Sequence, residues 1–226
     1  RDGTYSNCTI SVEDNASNSV TLNMSQFVIE TVSPIVSSIS PTDNQSDVSI
    51  SGTISVTFSE SIDTSSVNTN TSNTSCSGSL QLSANNFSSC IQMSSSPSSS
   101  NSDKTFTLDP FDNLSLSNTY KIRVTTGIKD TVGNTLSSRY ETTNGFATCS
   151  NNVTFVAVGG NSSPSEGFLR TSSNGTSCWI SRNIGTSHML LSGTYANNTF
   201  ITVGHADTST YPSLLTSSDG TTWTSR

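Results

Sequence analysis

Five cysteines, two histidines and a thin scatter of acids are the side chains of this sequence best suited to chemistry. Cys8, Cys76, Cys90, Cys149 and Cys178 contain no CxxC pair, and with only His188 and His205 beside them a zinc site is not expected. Cys76 and Cys90 instead flank a strand-like segment, CSGSLQLSANNFSSC, which suggests a disulfide and an oxidising, extracytoplasmic compartment. The odd count leaves the pairing of Cys8, Cys149 and Cys178 open. Nucleophilic catalysis needs a Ser or Cys beside a base that a third group orients. Ser and Thr exceed a third of this chain, so such pairs can be drawn at will and carry no information. His205 follows the strand-like FITVG and opens the turn-rich HADTSTYP, where a solvated loop histidine is expected. GNSSPSEG lacks both the spacing and the lysine of a phosphate loop. No catalytic residue is assigned.

The elements that would position these groups are strands. Ile54, Val56 and Phe58 alternate in GTISVTFSE, Phe106 and Leu108 in KTFTLDP, and Tyr120, Ile122 and Val124 in TYKIRVTT. Turn clusters of Asn, Asp, Gly, Pro and Ser separate them, and no helical periodicity appears. Hydrophobic residues make up 31% and charged residues 11%, well under the roughly 45–50% and 25% of ordinary globular domains. An all-β protein with thin cores and Ser/Thr-rich solvent faces fits this balance. The net charge is −7 and the nine Lys and Arg are scattered, so neither nucleic acid nor an anionic membrane is an expected partner. No apolar run approaches a membrane span. The opening RDGTYSNCTISV reads as a turn and a strand already under way, as in a piece of a longer protein.

Two internal repeats organise the chain. VEDNASNS (Val12 to Ser19) matches IKDTVGNT (Ile128 to Thr135) at an offset of 116 residues, about the length of one sandwich domain. Asp14 and Asp130 are placed to accept backbone N–H groups in a tight loop, and Gly133 and Asn134 tolerate positive φ. A structural turn is therefore expected, with no cofactor. Calcium is the alternative, but it needs several oxygen ligands and Asp130 supplies one carboxylate. At an offset of 45, NNVTFVAVGG matches NNTFITVGH and TSSNGTSCWISR matches TSSDGTTWTSR. Phe155 and Phe200 correspond, as do Gly175 and Gly220, while Trp179 and Trp223 differ from the offset by one residue.

From Pro34 to about Thr148, the order of Ser40-Pro41, VTFSESID, TYKIRV and IKDTVGNTL resembles the bacterial Ig-like repeat of the S-layer (SbsA) type. The departure is an insertion, Thr69 to Asp103, that holds Cys76, Cys90 and the low-complexity SSSPSSSNSD. The forty-five-residue period with a Trp after a turn reads as a propeller blade or solenoid unit. It resembles sialidase-type, Asp-box propeller repeats, which would place Asp219 and Gly220 in a structural turn and Phe155, Trp179, Phe200 and Trp223 in the repeat core. The first copy carries Asn174 where the second has Asp219, and the Asp219 to Trp223 spacing is one residue short of the usual box.

The expected organisation is residues 1–33 as the last strands of a preceding Ig-like repeat, 34–148 as a bacterial Ig-like domain, and 149–226 as two propeller-type repeats. The second repeat is expected to stop soon after its Trp, without an outer strand. The expected function is a non-enzymatic extracellular or cell-surface protein in which an Ig-like stalk presents a propeller-like binding head. Its partners would be a protein or glycan ligand and neighbouring repeats of the same polypeptide. A sialidase-like enzyme fragment is one alternative; glycoside hydrolysis would then need a second acid beside Glu166 or Asp207. A surface-filament subunit is the other.

Overall fold

Alternation becomes strand wherever it was read. Ile54–Phe58 buries Ile54, Val56 and Phe58 and leaves Ser55 and Thr57 half-exposed between them, as the period of two requires. The computed structural model describes residues 2–162, 165–185, 188–205 and 212–226. Among the described residues the only helix is the 3-10 turn Thr64–Ser66, capped by Asp63, whose carboxylate accepts the Ser65 N–H at 2.9 Å. The chain divides into two compact units that interleave along the sequence.

The first unit comprises 1–42, 53–111 and 121–143. Its four-stranded antiparallel sheet runs in the order Val36–Ser40, Ile54–Phe58, Thr105–Leu108, Ser98–Ser100. The edge strand Ser98–Ser100 comes from the serine tract of the insertion, which has no alternation to announce it. The rest of that insertion supplies Leu80–Ser83, whose residues pair antiparallel with Lys121–Val124 of the strand Thr119–Val124. Ile54, Val56, Phe58, Phe106 and Leu108 are buried, as are Leu80, Leu82, Ile122, Val124 and Ile128. The Phe58 and Phe106 rings meet edge-on at 6.0 Å. Cys76 and Cys90 are joined in a disulfide. Ahead of this core, Gly3–Tyr5 pairs with Phe27–Ile29 and Thr9–Glu13 with Ser19–Asn23, with almost every residue exposed.

The second unit comprises 43–52, 112–120 and 144–226. Tyr120 stacks on Phe146 at 5.8 Å, and its hydroxyl accepts the Ser115 N–H at 2.9 Å, so a buried phenol keeps a partner. Two open antiparallel meanders follow. One is Phe155–Ser162, Ser165–Ser172 and Ile180–Ser181; the other is Met189–Ala196, Thr199–His205, Pro212–Ser217 and Thr224–Ser225. Leu169, Ile184, Leu190 and Leu215 form a shared core with Val156, Val158 and Trp223 against it. Among the described residues these sheets stay open, and no closed propeller is shown. Cys149 and Cys178 form the second disulfide, and Cys8 is free.

The repeated phrase has a geometric meaning, because its two ends clasp each other. Arg182 donates Nε–H to Thr171 Oγ1 at 2.7 Å, and Arg226 does the same to Thr216 Oγ1 at 3.1 Å. Within the phrase, Asn174 Oδ1 accepts from the N–H of Thr176 and Ser177 at 3.1 and 3.0 Å. Asp219 Oδ1 accepts from Thr221 and Thr222, both at 2.8 Å. The extra residue of the first copy is taken up beside Cys178, whose φ is 59°.

Three expectations need correcting. Phe155 and Trp179 are 46% and 37% exposed, so the first repeat's aromatics are not core. In the second repeat Phe200 is buried and lies 6.4 Å from Trp223. His205 ends the strand Thr199–His205, paired with Met189 and Pro212, and is half-buried; it is not a solvated loop residue.

Candidate functional site

Two groupings of polar side chains emerge. The first is built on the Asp130 loop. Asp130 Oδ1 accepts the N–H groups of Val132, Gly133 and Asn134 at 2.9, 2.7 and 2.9 Å, and Asn134 Nδ2 donates to Oδ2 at 2.7 Å. Gly133 sits at φ +103°, where a side chain would be strained. The earlier copy repeats this pattern. Asp14 Oδ1 accepts from Ala16 and Asn18 at 2.8 and 2.9 Å, and Asn18 Nδ2 donates to Oδ2 at 2.9 Å. Ser17 takes the left-handed place at φ 67°.

In the later copy Asn134 does one thing more. Its amide also donates to the Glu30 carbonyl at 3.0 Å, to Glu30 Oε2 at 3.1 Å and to the Val32 carbonyl at 3.4 Å. Asn134 thereby grips the segment that leads into its own domain. Glu30, Glu60 and Asp130 consequently bring carboxylate oxygens within 4.8 Å of one another. Reading the sequence singled out Asp130 and missed both glutamates; the E of VTFSESID, Glu60, was the one available signal. Burial first, then the charges of Glu30 and Asp130, pushes the Glu60 carboxyl above its ordinary value. Burial acts to raise Asp130 as well, but the hydrogen bonds from Asn134 and Val132 outweigh it and hold that carboxyl low. Three carboxylates are hard ligands of the kind a divalent cation takes. The oxygens of Asp130 and Glu30 already accept N–H groups, including Val32 N–H on Glu30 Oε1 at 2.7 Å, which lowers what they offer a cation.

The second grouping is a cleft of about 770 Å³ lined by Asn151, Asn152, Thr154, Tyr195, Phe200 and Asp219, with Val153, Ser218 and Thr221. That volume lies within the usual range for small-ligand sites, roughly 300–1,000 Å³. Tyr195 is exposed and its ring lies 4.5 Å from that of Phe200, giving an aromatic wall beside amides and hydroxyls. Asp219 is the cleft's sole acid among the lining residues. The N–H groups of Thr222 and Thr221 hold its carboxyl far below the usual range, so it does not carry a proton to donate. Glu166 lies on a strand opposite Asn161, and Asp207 lies outside the described residues.

Residues 30–149 match the family described as bacterial Ig-like domain. That is more than half of the sequence, and the chain belongs to this family. Comparison with curated proteins finds no match. Among solved structures, the N-terminal part of the bacterial S-layer protein SbsC is similar with a TM-score of 0.38 and 15% identity, over 80% of this chain and 42% of that one. Domains 1–6 of the surface layer protein SbsC give 0.36 and 15%, over 80% of this chain and 24% of that one. The chain thus spans less than half the length of either. Among the described residues no helix is long and apolar enough to cross a membrane.

Proposed function

We propose that this is a structural protein of the bacterial cell surface in which Ig-like repeats carry a ligand-binding region. The observation that carries the reading is the Asn134 joint. A turn that recurs at 116 residues also holds the segment entering its own domain, which is what a string of successive Ig-like units requires. Two disulfides and a net charge of −7 suit an oxidising, extracytoplasmic setting. The forty-five-residue units act as propeller-type blades, and the cleft beside Tyr195 and Phe200 receives the ligand. Its wall of two mutually tilted rings with flanking amides suits a glycan better than an anion or an apolar molecule. Hydrolysis is not part of this reading, since Asp219 is locked in its ionised form and a lone carboxylate does not complete a glycosidase pair. Antibody labelling of intact against permeabilised cells tests it. Equal labelling is expected, and signal seen only after permeabilisation would overturn the proposal.

A further inference from the structure

Within the hairpin Thr9–Glu13 and Ser19–Asn23, Val12 pairs with Val20 and Ile10 with Leu22. These pairs share one face, while Thr9 with Asn23, Ser11 with Thr21, and Glu13 with Ser19 occupy the other. The apolar face is uncovered. Val12 and Val20 are 55% and 54% exposed, and Ile10 and Leu22 are similarly open. A one-sided aliphatic face on a two-stranded ribbon is half of an interface.

The internal repeat says what the other half is. At the offset of 116, Val12 falls on Ile128 and Val20 on Leu136, which are 0% and 4% exposed. The local geometry agrees: Val12 pairs with Val20, and the Leu136 N–H donates to the Ile128 carbonyl at 3.0 Å. What differs is the cover. In the later copy, Ile62 forms an antiparallel bridge with Asp130, and the Asp63 N–H donates to the Lys129 carbonyl at 2.9 Å. Ser66 Oγ accepts the Lys129 N–H at 3.0 Å, and Ile62 is buried. Lys129 and Asp130 correspond to Glu13 and Asp14, and among the described residues no segment pairs with those two in this way.

We infer that the hairpin Thr9–Asn23 is a docking surface for a strand of the Ile54–Ser66 kind, supplied by another Ig-like repeat. The strand pairs antiparallel along Glu13 and Asp14 and lays an isoleucine over Val12 and Val20. Main-chain hydrogen bonds supply the register, and the alternate apolar side chains supply the selectivity. The inference rests on the repeat-array reading above for the source of the strand. Its test does not involve location, so either can fail alone.

The full chain is titrated with a fluorescent peptide of the sequence ISVTFSESIDTSS. Saturable binding is expected, weakened at least tenfold in the double variant Val12→Asp, Val20→Asp and unchanged in Val132→Asp, an exposed position of the later loop. The substituted valines are already in water, so the variant keeps its fold, checked by circular dichroism. No binding overturns the inference. So does binding that ignores the double variant, since the peptide would then be entering the place of Ile54–Phe58.

Discussion

Asn134 donates its side-chain amide to the carboxylate of Glu30, 104 residues earlier in the chain, at 3.1 Å. The same nitrogen serves Asp130, so one neutral donor separates two anions that Glu60 closely approaches. Replacing it with alanine leaves those acceptors unmatched. Asn134→Ala should cost roughly 1–3 kcal/mol at neutral pH by urea denaturation. Glu60 has a raised pKa, so its charge is a penalty above that pKa and is relieved by protonation below it. The gap between variant and wild type should therefore narrow as pH falls through the raised Glu60 range. A gap that widens on acidification would contradict this account.

Asp219 carries the opposite sign. Its carboxyl is held low by the Thr221 and Thr222 N–H groups, so its contribution is present at neutral pH and fades as pH falls toward the folded value. Asn174 makes the equivalent bonds without a charge. Asp219→Asn should therefore keep the turn and reduce the acid sensitivity of melting. Asp219→Ala should lose about 1–2 kcal/mol, the scale of a lost cap. Melting curves at pH 7 and pH 3 separate the two.

Glycine is required at one of these turns more than at another. Gly220 has φ +70°, and an added Cβ would stand 2.5 Å from Val153 Cγ1. Gly133 has φ +103° with nothing within 4 Å of that position. Gly220→Ala should cost about 1–3 kcal/mol and Gly133→Ala less, since only the first adds a clash to backbone strain. Equal melting temperatures for the two variants would argue against the packing of Val153 on Gly220.

Both disulfides should appear in a non-reduced digest, with Cys8 alone alkylatable. The Cys76–Cys90 bridge closes a sequence separation of 14 and the Cys149–Cys178 bridge one of 29. In the chain-entropy model these are worth roughly 3 and 3.5 kcal/mol. Removing either pair by Cys→Ala should lower the urea midpoint measurably. Free thiols at Cys149 and Cys178 would undo the second assignment.

What the sequence made legible follows its periodicities. Ile54, Val56 and Phe58, or Tyr120, Ile122 and Val124, alternate strictly and could be placed by eye. The Asp14 and Asp130 turns were legible because a carboxylate, three variable residues and an Asn can close only a few loops. Ser98–Ser100 was not, because an edge strand made of serine has no apolar face and exists only by pairing with Thr105–Leu108. Glu30 and Glu60 were missed at the acidic grouping because long-range folding, and no motif, brings them to Asp130. The clasp of Arg182 on Thr171 was visible only as a repeated phrase, because the bond joins residues that strand pairing brings together.

The bridge from Cys149 to Cys178 has a mechanical consequence. A chain that holds something at arm's length is pulled along its backbone, and tension follows the shortest covalent route. At this bridge that route leaves the main chain at Cys149 and rejoins it at Cys178, passing through sulfur. Phe155–Ser162 and Ser165–Ser172 both lie inside the bypassed loop. At about 3.3–3.6 Å per extended residue, the 29-residue separation keeps roughly 100 Å of contour length out of reach of the load. Under shear, these two strands of the first meander would stay slack, while its third, Ile180–Ser181, lies beyond Cys178 on the loaded path.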